Sequence, residues 1–231
     1  MRRTTRTIEL GDVKIGSGHP VSVQTMTKTD TRDIVSTINQ IKEVEEAGCQ
    51  IVRCAVPDLD AAKALKKIIK SVKIPVIADI HFDHKLALES IKSGIHGLRI
   101  NPGNIGSKSK IETVVKSLKQ ASIPVRIGVN SGSLEKDILK KHGSPTSDAL
   151  VESAIRHISI LDELNFKDIK VSVKSTSVMI MQDSYRKLAS LTDIPFHVGV
   201  TETGTFEVGS VKSAIGIGGL LSEGIGDTIR V

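Results

Sequence analysis

Residues 75–100 read "PVIADIHFDHKLALESIKSGIHGLRI", and this run decides the fold. A short apolar segment opened by Pro75 reads as a strand, a helix-like run begins near Asp83, Gly94 stops it, and a second strand-like segment starts at Gly97. Strands that read as buried on both faces and are separated by helices imply a parallel sheet. The second segment, however, carries Arg99 in its middle. A guanidinium cannot be deprotonated, and burying it unpaired costs several kcal/mol, so something anionic must meet it.

The same strand–helix unit recurs along the chain. Strand-like runs are "PVSVQTM", "IVRCAV", "PVIADI", "GLRINP", "PVRIGVN", "DIKVSVKS", "PFHVGVTE" and "DTIRV". Between them lie helix-like runs beginning near Leu59, Asp83, Ser107, Asp148, Val178 and Glu207, preceded by "TDTRDIVSTINQIKEVEEAG", in which Thr31 is the expected N-cap and Gly48 the stop. A hairpin is expected over Ile8 to Ile15. Eight strands alternating with seven helices is the count of a closed (β/α)8 TIM barrel, an α/β fold whose chemistry sits at the C-terminal ends of the strands. The alternative is a doubly wound open sheet, but no G-x-G-x-x-G opens the first helix. "GIGG" at 216–219 falls inside the last helical run, where close packing explains it. The chain reaches Val231 at the eighth strand, so the closing helix is expected to be missing from this piece.

Composition fits one domain over 1–231. With 39% hydrophobic residues the chain can bury a sizeable core, and no linker divides it. The basic start lacks the apolar stretch of a signal peptide, and no run approaches the ~20 residues of a membrane span. The expectation is a cytoplasmic protein with no membrane partner. Cys49 and Cys54 match no zinc or iron–sulfur spacing, so no metal site is expected in this chain. A net charge of +6 suggests nucleic acid, yet the lysines are spread over helix faces and aromatics make up only 2%. Stacking platforms for bases are nearly absent, and an anionic small molecule is the better reading.

Alternate strand residues point into a barrel. Arg99 and Asn101 then share one face, as do Arg126, Gly128 and Asn130, and Asp79 with His81. Arg53, Lys174 and Arg230 add cations on three more strands. A lone strand arginine is usually paired locally or reaches the rim. Five cations with only Asp79 and Glu202 as strand-end partners instead call for a ligand with several negative charges, such as a diphosphate, which Arg grips in bidentate geometry. His81 reads as an acid/base group or a hydrogen-bonded strand end. Ser131, in "NSGSL", opens a long connection that offers backbone amides to phosphate and the length of a lid. Glu202 reads as a general acid or a partner of Arg230.

The ordered set "VQTMT", "IVRCAVPD", "ADIHFD", "GLRINPGNIG", "RIGVNSGSL", "VKSTSV", "HVGVTETG" and "SAIGIGGLLSEGIGDTIRV" resembles the 4-hydroxy-3-methylbut-2-enyl diphosphate synthase family of non-mevalonate isoprenoid biosynthesis, across essentially the whole chain. The resemblance implies a barrel that binds 2-C-methyl-D-erythritol 2,4-cyclodiphosphate, with a [4Fe-4S] cluster and two electrons from ferredoxin or flavodoxin opening the ring. It puts diphosphate binding on Arg53, Arg99, Arg126, Lys174 and Arg230, with Asn101, Asn130 and Thr201 also at the substrate and Glu202 beside the reacting hydroxyl. Asp79, His81 and Ser131 are further candidates. It also implies a homodimer, and a C-terminal domain with three cysteines and a glutamate as cluster ligands, which is not in this chain. Two other readings stand beside it: a self-sufficient phosphate-binding barrel such as an aldolase or pterin-type synthase, and a non-catalytic anion-binding domain.

Overall fold

The computed structural model describes residues 1–81, 83–101 and 107–231. The opening residues form an antiparallel hairpin of β1 (Ile8–Leu10) and β2 (Val13–Ile15). Eight parallel strands follow: β3 (Ser22–Met26), β4 (Ile51–Ala55), β5 (Val76–Asp79), β6 (Gly97–Ile100), β7 (Val125–Asn130), β8 (Ile169–Lys174), β9 (His197–Val198) and β10 (Thr228–Ile229). They pair in the order β8-β7-β6-β5-β4-β3-β10-β9. A parallel bridge between Val171 and Phe196 joins the two ends and closes the cylinder. The open-sheet alternative therefore falls away.

Helices α1 (Ile34–Glu46), α2 (Leu59–Ser71), α3 (His84–Lys92), α4 (Lys108–Ala121), α6 (Ser147–Glu163), α7 (Val178–Leu191) and α8 (Phe206–Ser222) connect the strands, and α5 (Lys136–His142) is an addition in the β7–β8 connection. Eight helices are thus described where seven were expected, because the long connection after Asn130 folds into a short 3-10 turn and one extra helix. Helix α2 shows how the outer layer forms. Asp58 caps it by accepting from the Ala61 amide at 2.9 Å, and Ala61, Leu65 and Ile68 turn inward while lysines face out.

The expected N-cap of α1 needs correction. Asp33, not Thr31, caps it by accepting from the Ser36 amide at 3.1 Å, whereas the Thr31 hydroxyl donates to the Ala55 carbonyl at 2.6 Å and ties the loop to β4. The glycines of "GIGG" do lie inside α8, where a Cβ on Gly216 would stand 2.7 Å from Val200. The "PGNIG" part of the motif after Asn101 lies outside the described residues.

Two cores result. The larger lies between the strands and the helices. A smaller one, made of Ile8, Leu10 and Ile15 of the hairpin with Ile51 and Ile77 of β4 and β5, fills the N-terminal end of the barrel. Ile51 and Ile77 precede Arg53 and Asp79 by two residues on the same inward face, so an apolar floor lies under an ionic layer. On the outside of β3, Val23 is exposed.

Candidate functional site

The strand parity that buries Ile51 and Ile77 lifts the next inward side chains to one level at the C-terminal mouth. Arg53, Asp79, His81, Arg99, Arg126, Asn130, Lys174, Thr201 and Arg230 line a single cavity of about 220 Å³ together with Ser172. The five cations expected on separate strands are therefore brought together. Asn101 is buried at the end of β6 and Ser131 is half-buried in the 3-10 turn, both outside this lining. Glu202 is exposed on the rim, one residue past Thr201, with a left-handed backbone (φ +52°).

Asp79 is the one carboxylate in the wall. Its Oδ1 lies 3.0 Å from Arg99 Nη1 and its Oδ2 3.4 Å from Arg53 Nε. Burial pushes the Asp79 pKa up, but the His81 hydrogen bond and the charges of Arg53, Arg99 and Arg126 outweigh it and hold the group well below the carboxylate range. Its folded pKa lies under its unfolded one, so the stability it contributes is present above the unfolded value near 4 and is lost as pH falls through the folded value.

One carboxylate cannot balance five cations. Arg126 is fully buried, and its nearest side-chain partner is the neutral Ser172 hydroxyl at 3.3 Å. Burial, then Arg53 and Arg99, pull its pKa well down, yet a guanidinium keeps its proton, so the cost falls on the fold. Burial also lowers Arg53 to about 10, with Asp79 opposing. Lys174 is pulled far down by burial and then by Arg230, Arg126, Arg53 and Arg99. The Nε atoms of Arg53, Arg99 and Arg126 are all buried without a hydrogen-bond partner. Unspent donors and uncompensated charge together make an anion receptor.

Two glycines set where these cations lie. A Cβ on Gly128 would stand 2.9 Å from Arg99 Nε, and one on Gly199 would stand 2.7 Å from Lys174 Nζ. Bare backbone at both places lets the charged heads lie flat against the barrel wall.

Ser172 was not singled out in the sequence, although "IKVSVK" gives it the parity of Lys174; Lys170 and His197 share the inward parity one level deeper. The cysteines offer no second centre. Cys54 is buried among helices, where burial pushes its thiol up to about 11, and the Cys49 thiol donates to the Ile51 carbonyl at 3.2 Å. No group of three or more His, Cys, Asp or Glu side chains placed for a metal ion occurs among the described residues. These donors do not fit a [4Fe-4S] cluster.

Replacing Asp79 by Asn leaves Arg53 and Arg99 without their counter-charge. The expected cost is about 3–5 kcal/mol, a fall in melting temperature of roughly 6–20 °C for a chain of this size. Inorganic diphosphate should restore part of it. Thermal melts with and without diphosphate check this, and an unchanged midpoint would show that Asp79 is dispensable to the cation cluster.

The solved structures most like this one include a dihydropteroate synthase from Yersinia pestis, at a TM-score of 0.65 and 12% identity, covering 99% of this chain and 92% of that one. That likeness is one of barrel architecture. A second dihydropteroate synthase, from Xanthomonas albilineans, matches at a TM-score of 0.65 and 11% identity, over 97% and 92% of the two chains. In sequence the chain is 60% identical over 230 residues to a Clostridium acetobutylicum protein named 4-hydroxy-3-methylbut-2-en-1-yl diphosphate synthase (flavodoxin), covering 100% of this chain and 66% of that protein. It is 61% identical to the protein of the same name from Thermodesulfovibrio yellowstonii, again over 100% and 66%. The chain thus spans just under two thirds of the length of these relatives. The GcpE TIM-barrel domain family matches residues 5–231, and a match over nearly the whole barrel, cationic mouth included, makes this chain a member of that family.

Proposed function

We propose that this barrel is the substrate-binding part of a 4-hydroxy-3-methylbut-2-enyl diphosphate synthase and that its mouth binds 2-C-methyl-D-erythritol 2,4-cyclodiphosphate. The observation that carries the reading is the imbalance in the cavity wall: Arg53, Arg99, Arg126, Lys174 and Arg230 against Asp79. The diphosphate supplies the missing negative charge and accepts hydrogen bonds from the guanidinium and ammonium groups of the wall. Thr201, Asn130 and Ser172 offer neutral hydrogen bonds to the remaining oxygens and hydroxyls.

The reaction opens the ring and removes a hydroxyl with two electrons, donated by flavodoxin, as the relatives' name suggests, or by ferredoxin. The [4Fe-4S] centre belongs to a further domain, in the third of the relatives' length that this chain does not span. What the barrel's own residues do is bind the two phosphates, fix the carbon skeleton over the mouth and present Glu202 at its edge. The enzyme acts in the cytoplasm; no described helix is long and apolar enough to cross a membrane. A homodimer is part of the reading, and the charge-poor exposed face of α8, with Phe206, Val211 and Ile215, suits a second copy.

Titration calorimetry of the protein with the cyclodiphosphate tests this. Binding that weakens steeply with added salt is expected. Absence of binding, with the fold intact, would refute the reading.

A further inference from the structure

Beneath the cationic mouth lies a second polar layer that diphosphate binding does not use. The inward positions one step nearer the hairpin carry Gln24 on β3, Lys170 on β8 and His197 on β9, all buried. Lys170 Nζ has a single hydrogen-bond partner among the described residues, Gln24 Oε1 at 3.4 Å. With Arg126, Lys170 lines a narrow apolar crevice walled by Ile8 and Leu10 of the hairpin, Ile77 of β5 and Leu98 of β6. Neither ring nitrogen of His197 has a hydrogen-bond partner.

The charged and titratable groups facing Lys170 are few. Arg126 comes from β7, His197 from β9, and Asp227 from the turn before β10. Asp227 is already engaged, by Arg2 at 2.7 Å and by the Phe196 amide at 2.8 Å. Lys170 therefore lacks a carboxylate of its own and sits under a guanidinium that cannot give up its charge. Burial first, then Arg126, with only Asp227 opposing, bring its pKa down to about 7. An anion in the mouth would cancel the Arg126 charge and leave burial as the main penalty.

We propose that Lys170 is a proton-binding site coupled to the mouth: its amine, buried beside Arg126 with no carboxylate of its own, binds a proton more tightly when a polyanion neutralises Arg126 above it, so that the diphosphate enters with uptake of a proton. This rests on the reading of the mouth as a diphosphate site and deepens it. The proton comes from solvent and adds to the Lys170 amine; no other bond changes. Lys174, in the mouth itself, is held down by burial and the same guanidinium groups, and its proton affinity rises with an anion bound beside it. Because binding takes up a proton, affinity rises as pH falls through the range between the two pKa values of Lys170, empty and filled.

The test is the ε-carbon shift of 13C-labelled lysine in the protein, followed by NMR from about pH 6 to 10 with and without saturating inorganic diphosphate. The expected free protein shows neutral lysine signals at about pH 8.5, far below the ordinary lysine pKa near 10.4. One of them is absent from K170R. Diphosphate should move that signal's midpoint up by about one pH unit or more, a tenfold gain in proton affinity. If K170R does not fold, K174R assigns the pair by elimination. An ammonium signal for Lys170 at about pH 8.5 without ligand, or a midpoint that bound diphosphate leaves unmoved, would overturn the proposal alone. No binding of diphosphate at all, seen as unmoved signals for Lys174 as well, would overturn the mouth reading with it.

Discussion

Arg126→Met is expected to make the empty barrel more stable while stripping it of ligand. Arg126 is buried with a hydroxyl, not a carboxylate, as its hydrogen-bond partner, and removing an uncompensated buried charge in favour of an apolar side chain of similar reach can stabilise by about 1–4 kcal/mol. At this size that is a rise in melting temperature of roughly 2–16 °C. The same substitution removes charge-assisted hydrogen bonds to the ligand, worth about 1.5–3 kcal/mol, so diphosphate affinity should fall roughly ten- to 150-fold. Arg99 behaves differently, because it is half of an ion pair with Asp79 at 3.0 Å. Arg99→Met should lose comparable affinity without the gain in stability, since it leaves Asp79 with one partner fewer. Melting curves and calorimetry on the two variants check the contrast. A destabilised Arg126→Met with unchanged affinity would mean that the charge is balanced inside the fold and not by a ligand.

The contrast between these two arginines was invisible in the sequence, although both were found there. Strand parity and the repeated helix-to-strand turns were legible because a buried parallel strand repeats every two residues and its helix every 3.6, so eight units and the inward set Arg53, Arg99, Arg126, Lys174 and Arg230 follow from spacing. Which cation Asp79 would choose depends on how β4, β5 and β6 stand beside one another: Arg53 pairs with Ile77, and Asp79 with Arg99, in the sheet register. Register between strands far apart in sequence is set by packing. The same limit hid Ser172 and the layer of Lys170, Gln24 and His197, whose parity was available but whose burial depends on the hairpin plug below them. The capping of α1 went astray for a local reason. "TDTRD" offers several capping side chains in a row, and the choice of Asp33 was made by Thr31 being drawn to the Ala55 carbonyl on a neighbouring strand.

On the proposed reading of the barrel as part of a reductive synthase, Glu202→Gln is expected to lower turnover of the full-length enzyme by about 10²-fold or more, with KM changed far less, as loss of a proton-transfer group does. Reductive loss of a hydroxyl needs a proton at the departing oxygen. Asp79, in the wall, is poorly suited to supply it, since Arg53, Arg99 and Arg126 hold it ionised far below neutral pH. Glu202 is the next carboxylate along the mouth, one residue past the lining residue Thr201 and exposed, so solvent can reload its proton between turnovers. Its backbone supports a role other than packing. A φ of +52° is uncommon for a glutamate, and such local strain, of order 1–3 kcal/mol, tends to be kept where a site needs it. Glu202→Gln keeps the size and the backbone preference of the side chain and removes only the transferable proton, and Glu202→Asp, which keeps the acid but shortens its reach, should retain part of the rate. Steady-state kinetics with saturating reductant separates the outcomes. If Glu202→Gln turns over normally, the proton must come from elsewhere in the mouth, and His81, in the same wall and 3.6 Å from Asp79, is the side chain to replace next.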